Sequence, residues 1–99
     1  PMRSAGGTAV VFVIPSIYAM GAAGFGPTCA EAEAVRVLAI VAARQWQGDG
    51  VTVNCVAVPF PYSNSSDADV AAVVAFLGTD AAVHITGTTI PVGLPEMGL

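Results

Sequence analysis

Apolar and polar positions divide the chain into blocks with distinct periods. Thr8 to Ile14 is a short run rich in Val and Phe, preceded by Gly6 and Gly7 and closed by Pro15. A run of this length without alternation predicts a strand buried on both faces. Ser16 to Pro27 reads as a loop. From Thr28 to Trp46 there is neither Gly nor Pro, with Glu31 and Glu33 near the start and Arg44 and Gly48 near the end. These signals predict one long helix. Its apolar residues, among them Val35, Val37, Leu38, Ile40 and Val41, occupy more than the single stripe needed to pack on one layer. Two covered faces are therefore expected.

Gly48-Asp49-Gly50 is a turn, and it leads into Val51 to Val58, where Val51, Thr52, Val53, Val56 and Val58 are β-branched. This predicts a second strand. Pro59, Pro61 and the polar Ser63 to Ser66 form a loop. Ser66 and Asp69 match a capping box ahead of Val70, Val73, Val74 and Leu77, which have helical spacing and stop at Gly78. His84 to Gly87 read as a turn, Thr88 to Val92 as a third strand, and Gly93 to Leu99 as a tail without periodicity. The order strand, helix, strand, helix, strand predicts an α/β fold with three parallel strands and two main helices, joined by right-handed crossovers as in half of a Rossmann-type doubly wound sheet. No repeat or linker divides residues 1–99, so a single domain is expected.

Composition narrows the function. The 99 residues are 55% hydrophobic and 10% charged, against a usual charged share of about 25%. So few charges leave little to keep an outer surface wet, which favours a partner. A net charge of -4, with only three basic residues, argues against binding nucleic acid, since that requires clustered cations to displace counterions from phosphates. The apolar runs Ala9 to Pro15 and Val37 to Ala43 fall short of the roughly 20 residues of a membrane-spanning helix. No secretory leader pattern is visible. The expected location is the cytoplasm, where Cys29 and Cys55 would be small, reduced side chains.

The candidate chemistry is sparse. Gly21-Ala22-Ala23-Gly24-Phe25-Gly26 lies between a strand and a helix, but its G-x-x-G-x-G order reverses the G-x-G-x-x-G of a dinucleotide loop, so it is not assigned to a cofactor. Ser16, His84 and an aspartate contain the residue types of a hydrolase triad, yet Pro15-Ser16 lacks the flanking glycines of a nucleophile elbow. Tyr18 offers a phenol near the end of the first strand, and the chain has no lysine to tune it. One His and two distant Cys give no metal-ligand cluster.

Four segments resemble the short-chain dehydrogenase/reductase family. Gly6-Gly7-Thr8-Ala9-Val10-Val11-Phe12-Val13-Ile14-Pro15-Ser16 is similar to the family segment that ends in the catalytic serine. Gly50-Val51-Thr52-Val53-Asn54-Cys55-Val56-Ala57 resembles its Val-Asn-x-Val-Ala strand. Ile85-Thr86-Gly87 with Thr89-Ile90-Pro91-Val92 resembles its C-terminal Thr-Gly strand, and Asp69 to Leu77 is similar to the intervening helix. The resemblance covers nearly the whole chain and implies the C-terminal half of the family's fold, a single truncated Rossmann-like domain. The phosphate loop and first four strands would then lie in a missing N-terminal half.

The family's spacing places its catalytic tyrosine at Thr28 and its catalytic lysine at Ala32, so neither is present. The family mechanism needs a cation beside a phenol to lower its pKa. Glu31 and Glu33 occupy this neighbourhood instead. Ser16 alone matches the triad and is the candidate catalytic residue. The resemblance implies a degenerate fragment, inactive alone, that acts by association with a dehydrogenase-like subunit or as a homo-oligomer. An alternative is a piece of a larger oxidoreductase, with NAD(P) bound only once an N-terminal half completes the fold. A further alternative, from the residues alone, is a small hydrolase or ligand-binding module using Ser16.

Overall fold

The computed structural model describes residues 7–16, 23–58 and 67–93. Strand β1 spans Thr8–Pro15, helix α1 Gly26–Gln45, strand β2 Val51–Val58, helix α2 Asp67–Leu77 and strand β3 Thr89–Pro91. Short 3-10 turns occupy Gln47–Asp49 and Asp80–Ala82. The strands form one parallel sheet in the order β1-β2-β3. Thr8 pairs with Val51 and Pro15 with Val58 at the two ends of the first ladder, while Cys55 to Ala57 pair with Thr89 to Pro91 in the second. This is the α/β arrangement expected of part of a Rossmann-like sheet.

Strand periodicity assigns the helices to their faces. Val53, Cys55 and Ala57 point one way and cluster with Ile14 and with Ala39 and Ala43 of α1. Val56 and Val58 point the other way and cluster with Leu77 of α2, Ala82 and Val92. The helices therefore cover opposite faces of β2, giving three layers. The strands advance in one direction while the helices change sides, so the two crossovers are of opposite hand. About 98% of such connections are right-handed, and the expectation of right-handed crossovers throughout is corrected for one of the two. The physical reason lies in β2. With three strands among the described residues, both faces of this central strand escape water when each receives a helix.

α1 begins at Gly26, two residues earlier than its sequence signals suggest, with Pro27 in the first turn, where a missing N–H costs nothing. Glu31 and Glu33 lie beyond that turn, so they do not act on the helix N-terminus, whereas Arg44 sits in the last turn as expected. The Trp46 N–H donates to the Ala42 carbonyl at 2.9 Å. Gly50, at φ 75°, then turns the chain into β2 in a left-handed conformation that favours glycine. α2 carries Asp67 and Asp69 in its first turn, where carboxylates complement the helix dipole. Ser66 of the expected capping box lies outside the described residues.

The face of α1 turned to the sheet consists of small residues: Ala32, Ala39 and Ala43 are buried. The helix can thus lie close to the sheet. Its larger aliphatics point elsewhere. Leu38 is 66% exposed and Val41 53%, so within one chain only one face of α1 is covered, not the two its sequence suggests. β1 also departs from expectation. Ile14 is buried, but Phe12 is 41% and Val13 54% exposed, because among the described residues β1 has a neighbour only on its β2 side.

Side chains extend the sheet past the short β3. Asn54 is buried, and its Nδ2 donates to the Ile85 carbonyl at 2.9 Å while its Oδ1 accepts from the Thr88 N–H at 3.1 Å. The Thr86 hydroxyl accepts from the Val53 N–H at 3.0 Å. The Gly87 N–H donates to the Val53 carbonyl at 2.8 Å. Gly87 has φ 72°, and a Cβ there would meet Ala43 of α1 at 3.6 Å. Main-chain pairing is thereby continued by side chains where the backbone bends away from ladder geometry.

Candidate functional site

In an open parallel sheet, ligands bind beyond the carboxyl ends of the strands. Ser16 follows β1 at that end. Its N–H donates to the Val58 carbonyl at 2.8 Å, extending the ladder by one bond. The residue is fully buried, and its Oγ has no hydrogen-bond partner among the described residues. A buried hydroxyl without a partner is costly. Thr52 Oγ1 is similarly unpartnered, near the opposite end of β2.

The two positions implied by the family's spacing lie together beside the end of β1, on a pocket whose lining does not include Ser16. Thr28 and Ala32, one helical turn apart, line a shallow pocket of about 250 Å³ with Phe12, Pro15, Glu31 and Val35. The positions implied for the tyrosine and lysine thus face the end of β1, and they present a hydroxyl and a methyl. Glu31 lies on this pocket. Glu33 does not, which corrects the expectation that both carboxylates border it. Glu33 instead accepts from Arg36 Nε at 2.8 Å and also from Nη2. The hydrogen bond and charge of Arg36 hold the Glu33 carboxyl below its ordinary pKa, against a smaller opposing effect of burial.

Other candidates are dispersed. His84 is exposed and precedes β3, with neighbouring Ile85 bonded to Asn54 in the middle of β2. At a strand rise of about 3.3 Å per residue, this is on the order of 15 Å from Ser16 along the sheet. A Ser16–His84 couple would need direct hydrogen-bond reach, so the hydrolase arrangement is not assembled. Neither Cys29 nor Cys55 is in a disulfide. Burial raises the Cys55 pKa, partly offset by a hydrogen bond with Thr89, so this thiol is held neutral and inert. No metal-binding cluster occurs among the described residues. Tyr18 and Gly21 lie outside the described residues, while Gly24 adopts φ 84° and Gly26 opens α1. Among the described residues, no helix is long and apolar enough to cross a membrane.

The signal that sequence reasoning missed is Asn54. Its buried bonds to Ile85 and Thr88 tie the central strand to the segment entering β3, and its position inside an apolar run was the available clue.

No protein-family model matches the sequence, and no curated protein is recognisably similar. Solved structures do match in shape. One is the promiscuous reductase LugOII, which catalyses keto-reduction at C1 during lugdunomycin biosynthesis: TM-score 0.74 and 24% identity over 84% of this chain. Another is a short-chain type dehydrogenase/reductase from Mycobacterium ulcerans: TM-score 0.80 and 24% identity over 93% of this chain. The chain spans 35% and 42% of the length of these two proteins. The structure therefore has the fold of part of a short-chain dehydrogenase/reductase.

Proposed function

We propose that the chain is a degenerate portion of a short-chain dehydrogenase/reductase-type oxidoreductase, without turnover of its own, that acts in association with a dehydrogenase-like subunit. The observation that carries this reading is the pocket beside the end of β1. Thr28 and Ala32 line it where a proton-donating phenol and a tuning amine would be required, and the chain contains no lysine at all. Ser16 remains as a buried hydroxyl that can orient a carbonyl in a completed site but cannot supply or accept the proton alone. NAD(P) would be bound by the completing part, because much of a dinucleotide's binding energy comes from a glycine-rich phosphate loop. Two cysteines outside any disulfide suit a reducing compartment such as the cytoplasm.

The test is an assay of NADH and NADPH oxidation by the purified chain with a panel of ketones and aldehydes, alongside a mock purification. No turnover above the mock is expected. The double variant Thr28→Tyr with Ala32→Lys is expected to remain inactive. Dinucleotide-dependent turnover by the unmodified chain would overturn the proposal.

A further inference from the structure

At the amino end of the sheet, Arg44 of α1, Gln47 of the turn that follows it and Thr86 of the segment entering β3 line a groove of about 280 Å³, together with Ile40, Ala43 and Gly87. No carboxylate is among these residues. Gly87 and Ala43 carry too little side chain to fill the space, and a Cβ on Gly87 would already touch Ala43 at 3.6 Å.

All three polar side chains have a donor to spare. Of the two arginines among the described residues, Arg36 is paired with Glu33, while Arg44 has no carboxylate partner there. The Gln47 side-chain amide makes no hydrogen bond among the described residues either. The Thr86 hydroxyl accepts from the Val53 N–H at 3.0 Å. A hydroxyl that accepts in this way still has its own proton to give, and no described residue takes it. Arg44 also complements the dipole of α1 from its last turn. That role requires a cation, but not two further donors beside it.

We propose that this groove binds a small monoanionic carboxylate, held by the Arg44 guanidinium and by the Gln47 and Thr86 donors, with a short aliphatic tail against Ile40 and Ala43. A guanidinium meets a carboxylate through two parallel N–H···O bonds. One cation balances one negative charge, whereas a phosphate dianion would add uncompensated charge to a chain already at -4. The apolar wall is of use to an aliphatic acid and of none to inorganic phosphate. No residue of β1 lines the groove, so the inference stands apart from the oxidoreductase reading and survives its failure.

Titration of the full chain with butyrate at fixed ionic strength, followed through the Thr86 and Gly87 amide and Arg44 Nε–H resonances, reads the site. Saturable shifts with a Kd on the order of millimolar are expected, as suits one charge-assisted contact in an open groove. Butyramide, which has the same shape without the charge, should produce none. Arg44→Gln should weaken butyrate binding by about 10-fold or more and Gln47→Ala by about 3-fold, while Arg36→Gln should leave it unchanged. Arg44 and Gln47 are both exposed, and the remaining amide resonances of each variant report that the fold is retained. Absence of saturation by about 50 mM butyrate, well above a millimolar Kd, would overturn the proposal. So would equal binding of butyramide, undiminished affinity in Arg44→Gln, or tighter binding of inorganic phosphate than of butyrate.

Discussion

Val13 and Val56 are the same residue, sit opposite each other across β1 and β2, and face the same side of the sheet, yet Val13 is 54% exposed and Val56 fully buried. Residue type and strand register do not separate them. Position in the sheet does. β2 has a strand on either side and a helix over each face, while β1 has a single described neighbour and the helices are centred away from its outer edge. Burial in a parallel sheet therefore belongs to the neighbourhood a strand is given rather than to the strand's own sequence.

Substitutions along this pair break the comparison in graded steps. Val56→Asp places an unpaired carboxylate in the closed cluster around Leu77 and Ala82 and should cost more than about 4 kcal/mol, most of the stability of a small domain. Loss of a cooperative thermal transition is the expected result. Asn54→Ala removes both bonds to the segment entering β3 and should cost about 2 to 3 kcal/mol, read by urea titration. Val56→Ala should cost about 2 kcal/mol and Val13→Ala less than about 1 kcal/mol, the latter measured where the chain is monomeric. Equal losses at the two valines would show that β1 is covered as fully as β2.

A smaller effect sharpens the contrast through pH. Burial raises the folded-state pKa of Cys55 above that of an unfolded thiol. The folded state then holds its proton where the unfolded state has lost it. The contribution is complete below the unfolded thiol pKa of about 8.5 and is lost as pH rises through the folded value. Stability should be level with respect to this group through neutral pH and decline above it, and Cys55→Ala should flatten the decline. A decline unchanged in that variant would place its origin elsewhere.

The extent of β2 was legible because both ends of Val51–Val58 are marked, by Gly50 before it and Pro59 after it, and the whole run is apolar or β-branched. β3 was read two residues too long, since Thr88 and Val92 have strand character but the regular ladder ends where Asn54 takes over the pairing. That β1 has one neighbour among the described residues was not legible, because the same Val-rich run serves a central or an edge strand. In the candidate site, Thr28 and Ala32 were singled out by the resemblance, through the family's spacing, and as i and i+4 positions on a helix they line one pocket. The diversion of Glu33 to Arg36 was accessible from their separation of three on α1, where such pairs meet. The failure of Ser16 and His84 to meet follows from strand direction: one residue leaves the sheet at its carboxyl end and the other approaches from its amino end.

The opposite hands of the two crossovers bear on what holds the native topology in place. Strand twist favours both connections on the same side of the sheet, but two helices side by side on the α1 face would leave Val56 and Val58 uncovered. One connection thus keeps its place against that preference through the burial it provides. Ala39→Leu, which overfills the close approach of α1 to the sheet, should cost about 1 to 3 kcal/mol, read by urea titration.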